Sequence, residues 1–139
     1  MTNENPYLTN PLHGTSLTTV LNEIVDHYGF PLLYAYLNIN CFNKNPSINA
    51  SVKFLKKTQW AREKVESFYL YQYKNLPRAS DREFEKPPRE RIIPNNENPK
   101  EPAELSFEDA ENLRLKRAEK TRQRAEKRNT GKFNPWGNS

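Results

Sequence analysis

SLTTVLNEIVDHYG, residues Ser16 to Gly29, is the stretch on which the fold turns. Leu17, Val20, Leu21, Ile24, Val25 and Tyr28 recur at intervals of three and four, the spacing of one helical face. Ser16 stands where a side-chain oxygen caps the free N–H groups of a first turn, and Gly29 follows the last apolar residue, where a left-handed conformation ends a helix without a Cβ clash. A helix with one apolar face must bury it, so the flanking sequence has to supply partners.

Pro31 suits a first helical turn, and PLLYAYLNI over 31–39 is apolar on nearly all sides, as a short buried second helix is. Asn45 and Pro46 form a cap and first-turn pair for a third helix, with Ile48, Val52 and Leu55 on one face and Lys53, Lys56 and Lys57 pointing elsewhere. Thr58 redirects the chain into a fourth helix that runs to about Lys74. Ala61, Val65, Phe68 and Tyr69 make its core stripe, and Trp60, Arg62, Lys64 and Tyr71 fall on its rim. No alternating pattern supplies a strand, so the class is all-α, with a compact four-helix domain over 1–77.

The remaining sequence does not share this pattern. With 35% hydrophobic residues and a mean hydropathy of -1.02, the 139-residue chain is too polar for all of it to pack. Prolines 77, 87, 88, 94, 99 and 102 are interspersed with charges of both signs, which predicts an extended, disordered linker over 78–105. Ser106, with Asp109 three residues on, opens a helix expected to reach roughly Arg128. Phe107, Leu113 and Leu115 are too few to bury it, so 106–139 is read as a basic, marginally stable tail helix with a disordered terminus. The closing GKFNPWGNS sets Phe133 and Trp136 between turn formers, in the manner of a short docking peptide.

Several function classes find no support. Cys41 is the only cysteine, so an intrachain disulfide and the usual metal-site spacings are excluded. His13 reads as a loop contact, His27 as an exposed or capping residue of the first helix, and Cys41 as a small buried hydrophobe. No nucleophile with a base, phosphate-cradling glycine loop or cofactor motif stands out, so we expect no enzyme, catalytic residue, metal or cofactor. The N-terminus lacks the basic patch and apolar run of a secretory signal, and no stretch is long enough to span a membrane. A cytoplasmic protein, with nucleoid association as an option, is the expectation.

Charge points more specifically. The formal net charge is +5, and its excess lies in the tail. There Arg114, Lys116, Arg117, Lys120, Arg122, Arg124, Lys127 and Arg128 have the density of phosphate-binding or acidic-partner-binding segments. The second basic stretch is NPSINASVKFLKKTQWAREK, residues Asn45 to Lys64, where two helix N-termini and Lys53, Lys56, Lys57, Arg62 and Lys64 can converge. On spacing alone, a phosphate-binding face and an ordinary solvated face stay equally open, and Trp60 reads either as a core residue or as a stacking one.

NPLHG at 10–14, HYG at 27–29, INCF at 39–42, NPS at 45–47 and KFLKKTQWAREKVE at 53–66 resemble, in order and spacing, a small bacterial family first studied structurally in a Vibrio protein. That resemblance implies a four-helix nucleic-acid-binding fold similar to the C-terminal double-stranded-DNA-binding domain of the recombinase RecA. It covers roughly Asn10 to Leu76 and departs at Gln59, where the family has Pro, and at Phe30 and Pro31, where it has Trp after the HYG turn. It implies phosphate contacts from Lys53, Lys56, Lys57, Arg62 and Lys64, with Trp60 a candidate for stacking on a base or sugar. No cluster of Asn, Gln and Arg announces base reading, so the expected partner is double-stranded DNA, bound in a salt-sensitive, sequence-tolerant way, with the tail adding phosphate contacts. The alternative is a protein-interaction adaptor whose tail docks on an acidic partner or RNA.

Overall fold

A computed structural model describes residues 6–137, and side chains over residues 7–127. A 3-10 turn, Pro6–Thr9, leads to α1, Leu17–Tyr28, and the Ser16 hydroxyl accepts the Thr19 N–H at 3.1 Å as the cap requires. Gly29 ends α1 by a different conformation from the one expected. Its φ is positive, +85°, but its ψ of 154° places it in a region essentially reserved for glycine rather than in the left-handed helical well. One residue thereby closes α1, donating its N–H to the Val25 carbonyl, and opens α2, Phe30–Leu37, accepting from the Leu33 N–H. Pro31 sits in the first turn of α2, and Asn38 ends that helix in the left-handed conformation.

A 3-10 turn at Asn40–Phe42 precedes α3, Ile48–Lys57. The cap of α3 is Ser47, not Asn45. Asn45 is held at φ 45° in the preceding turn, whereas the extended backbone of Ser47 brings its hydroxyl to the Ala50 N–H at 3.1 Å. Thr58 breaks the chain for one residue before α4, Gln59–Phe68, which runs on into a π-helical turn at Tyr69–Tyr73. The expected stripes make the core: Val20, Leu21 and Ile24 of α1, Leu33 of α2, Leu55 of α3 and Ala61, Val65 and Leu70 beyond are fully buried together with Leu12. The described residues contain no strand, and the all-α class holds among them.

The Pro-rich segment differs from its expectation. Rather than extending as a linker from 78 to 105, it packs on the bundle, and the first compact unit of the chain ends at Leu105 instead of Pro77. No apolar periodicity announces it; buried Pro88 and Ile93 and a set of polar anchors hold it. The Asn10 side chain, buried, donates through Nδ2 to the carbonyls of Pro88 and Arg91, each at 2.9 Å, and accepts the Leu12 N–H through Oδ1. Arg89 meets the buried carboxylate of Glu66 at 2.6 Å and donates to the Leu12 carbonyl at 2.7 Å. Arg91, itself buried, donates to the carbonyls of Lys86 and Phe84 and to the Tyr71 hydroxyl, with its guanidinium over the Phe84 ring. A short helix, α5, at Asp81–Phe84 and a 3-10 turn at Pro88–Glu90 shape this strap.

Farther along, the strap satisfies the end of the π turn, whose last carbonyls have no partner inside the helix. Ala103 and Lys100 donate their N–H groups to the carbonyls of Gln72 and Lys74, and the Tyr28 hydroxyl donates to the Ala103 carbonyl at 2.7 Å. Burial, together with the neighbouring Tyr73 and Tyr36, pushes the Tyr28 phenol up to about 12, so it remains a donor across the neutral range.

The second unit starts at Ser106 and consists of α6, Phe107–Gly137, with the Ser106 hydroxyl accepting the Asp109 N–H at 3.0 Å. Its backbone is helical past Arg128, through the residues read as turn formers. The side chains of Arg128, Phe133 and Trp136 lie outside the described residues, so the docking-peptide expectation falls outside them too.

Candidate nucleic-acid interface

Three amino-acid choices shape the ground between α3 and α4. Lys53, Lys56 and Lys57 fall off the stripe of Val52 and Leu55, so the burial of that stripe drives them outward, and all three are exposed. Spacings of three and four set them on one ridge of α3, with Lys56 and Lys57 in its last turn, where the helix dipole favours cations. None of their ammonium groups has a hydrogen-bond or ion-pair partner among the described residues. Between Asn45 and Val65 the sequence has a single acidic residue, Glu63, and Gln59 donates to its carboxylate at 2.8 Å.

At the end of this ridge α4 begins without a side-chain cap, since Thr58 makes no capping hydrogen bond. The N–H groups of its first turn therefore face outward with partial positive charge. Trp60 stands in that turn at 61% exposure, which settles its two readings: it is a surface residue, and Ala61 and Val65 take the core positions of α4. Phe54, also off the core stripe of α3, is 37% exposed beside Lys53; sequence reading passed over it because a phenylalanine in an amphipathic helix is usually interior.

The two cations expected from α4 are tied into the fold. Arg62 donates through one guanidinium nitrogen to the carbonyls of Leu55 and Lys56, at 3.2 and 3.1 Å, which closes the C-terminal end of α3. It sits with the ridge and fixes the turn that carries Lys56 and Lys57. Lys64 instead donates to the Leu37 carbonyl at 2.7 Å, satisfying the end of α2. Free carbonyls at a helix end are the signal for such roles, and they are visible only once the helices are assembled.

In the tail, residues 111–127 are all exposed. Arg114 pairs with Glu111 and Arg122 with Glu119, each at 2.5 Å, and the second pair lowers the Glu119 carboxyl below its ordinary value through the Arg122 hydrogen bond. Lys116, Arg117, Lys120, Arg124 and Lys127 have no such partner among the described residues. The groups with titration or redox chemistry make no hydrogen bond or ion pair with the ridge lysines among the described residues. His27 packs edge-on against Tyr28 and Tyr73, His13 is exposed, and burial raises the Cys41 thiol, which disfavours a reactive thiolate. Among the described residues, no group of His, Cys, Asp and Glu is placed to hold a metal ion, and no helix is long and apolar enough to cross a membrane.

Comparison with curated proteins gives no match. Residues 8–70, which include α1 to α4 and every residue of the ridge, match the model of the family described as DNA-binding protein VF530.

Proposed function

We propose that the protein binds DNA without catalysing a reaction on it, docking on duplex through the α3 ridge and the first turn of α4. Lys53, Lys56 and Lys57 contact phosphates, the open N-terminus of α4 adds N–H donors, and Trp60 covers a base edge or sugar. Arg62 holds the ridge in place and has guanidinium donors to spare, while Lys64, engaged by α2, positions α4. The single observation that carries this reading is three exposed, unpaired lysines beside an uncapped helix start inside the segment matched by a DNA-binding family. Phosphate contacts without a base-reading cluster mean affinity that varies little with sequence and falls steeply with salt.

The test is a salt series on labelled duplex with the full chain and its K53Q/K56Q/K57Q variant. Losing three phosphate contacts should flatten the slope of log Kobs against log salt by up to about 2.7. W60A should weaken binding and leave that slope as it was, because a ring releases no counterions. A triple variant that binds with wild-type affinity and slope would remove the ridge from the interface.

A further inference from the structure

The ion pairs of α6 sort its cations into two kinds. Arg114 and Arg122 are each held by a glutamate one turn earlier. The other five whose side chains are described, Lys116, Arg117, Lys120, Arg124 and Lys127, fall within about 100° of the helix circumference at 3.6 residues per turn. Glu111, Glu119 and Glu126 lie on the opposite side, as does Arg122. From Glu111 to Lys127 the helix thus carries its charge separated by face rather than evenly, while Asp109 in the first turn lies on the stripe's side.

From this we infer that the stripe of Lys116, Arg117, Lys120, Arg124 and Lys127 is a second, discrete binding face for the phosphate backbone of duplex DNA, and that Arg114 and Arg122 take no part in it. The inference rests on the DNA-binding reading above and assigns the tail's share of it. Like charges three and four residues apart on one helix repel one another, so the stripe disfavours the helix that displays it until a polyanion covers it. Arg117, Lys120, Arg124 and Lys127 alternate steps of three and four, which makes a nearly straight row with a cation about every 5 Å. A straight, regular row complements a linear polyanion better than it does the clustered acids of a globular surface. Along the roughly 17 Å from Lys116 to Lys127, duplex DNA presents about ten phosphate charges, so the cations and not the phosphates limit the number of contacts. The pairing of Arg114 and Arg122 turns the acidic face into a largely neutralised one, which weakens the repulsion between it and the duplex.

Two full-chain variants that each remove two positive charges separate position from charge count: K120Q/R124Q on the stripe and R114Q/R122Q off it. We expect the first to flatten the salt slope on duplex DNA by up to about 1.8 and the second to leave it unchanged. Circular dichroism should also show helix gained on adding DNA to the wild-type chain, and less of that gain in K120Q/R124Q. Equal effects of the two variants would overturn the proposal, since the tail would then act through its total charge alone. No effect of K120Q/R124Q would overturn it as well. If that result came with a ridge variant that still weakened binding, the DNA-binding reading would stand while the stripe failed; a wild-type chain that bound no DNA at any salt would defeat both.

Discussion

Replacing Asn10 with alanine tests whether the strap over 78–105 is part of the folded domain. The carboxamide is 2% exposed and makes three hydrogen bonds at 2.9 Å, to the Leu12 N–H and to the carbonyls of Pro88 and Arg91, which lie 78 and 81 residues away. A net contribution of about 1 kcal/mol per bond, with some recovery as water reaches the freed carbonyls, puts the loss at roughly 2–4 kcal/mol. For a unit of this size each kcal/mol lowers the melting temperature by about 4–8 °C, so the N10A chain should melt about 8–32 °C below the wild type. The assay is thermal denaturation of the full chain followed by circular dichroism, with amide exchange at Leu12 as the local readout. Arg89 holds the same residue through the next peptide, by way of the Leu12 carbonyl. N10A and R89A should therefore be non-additive in a double-mutant cycle. A melting temperature within about 3 °C of wild type, with the Leu12 amide still protected, would refute the anchoring and return 78–105 to the status of a linker.

Two further outcomes follow from local geometry. At Gly29 an added Cβ would meet only Pro31 Cδ at an ordinary 3.7 Å, so the cost of G29A is backbone strain alone, about 1–3 kcal/mol by urea denaturation; a negligible change would mean that the α1–α2 junction accepts another conformation. Glu83 accepts the Ile92 N–H and pairs with Lys86, and these two contacts, the first the larger, hold its carboxyl below the ordinary value of 4.5. A depressed carboxylate pKa contributes stability above the unfolded value that is lost as pH falls through the folded one. The Ile92 amide shift should accordingly titrate with a midpoint under 4.5, and a midpoint at or above it would show the bond to be absent in solution.

How much of this was legible beforehand depends on the range of the interaction. The helices and their core stripes were readable because amphipathic periodicity and the Ser16 cap are relations between residues three or four apart. The α3 cap was misplaced by two residues because Asn45, Pro46 and Ser47 are all plausible starts by type, and only the left-handed backbone of Asn45 decides among them. The exposure of Lys53, Lys56 and Lys57 followed from the stripe opposite them. The position of Trp60 did not, because a tryptophan near a helix start is compatible with either face until Ala61 and Val65 are seen to fill the core.

What the sequence determined by itself was the all-α class, the four principal helices and the concentration of positive charge in two places, since these depend on local spacing and on composition. Tertiary structure alone decided that the Pro-rich segment is a strap, that Arg62 and Lys64 close the ends of α3 and α2, and that Glu66 is a buried partner for Arg89. Apart from Arg62, which reaches back six and seven residues across the α3–α4 turn, each of these joins a polar group to a carbonyl, an N–H or a charge that comes near only when distant parts of the chain are folded together. Polar contacts of that kind leave no period in the sequence, whereas a buried apolar face does.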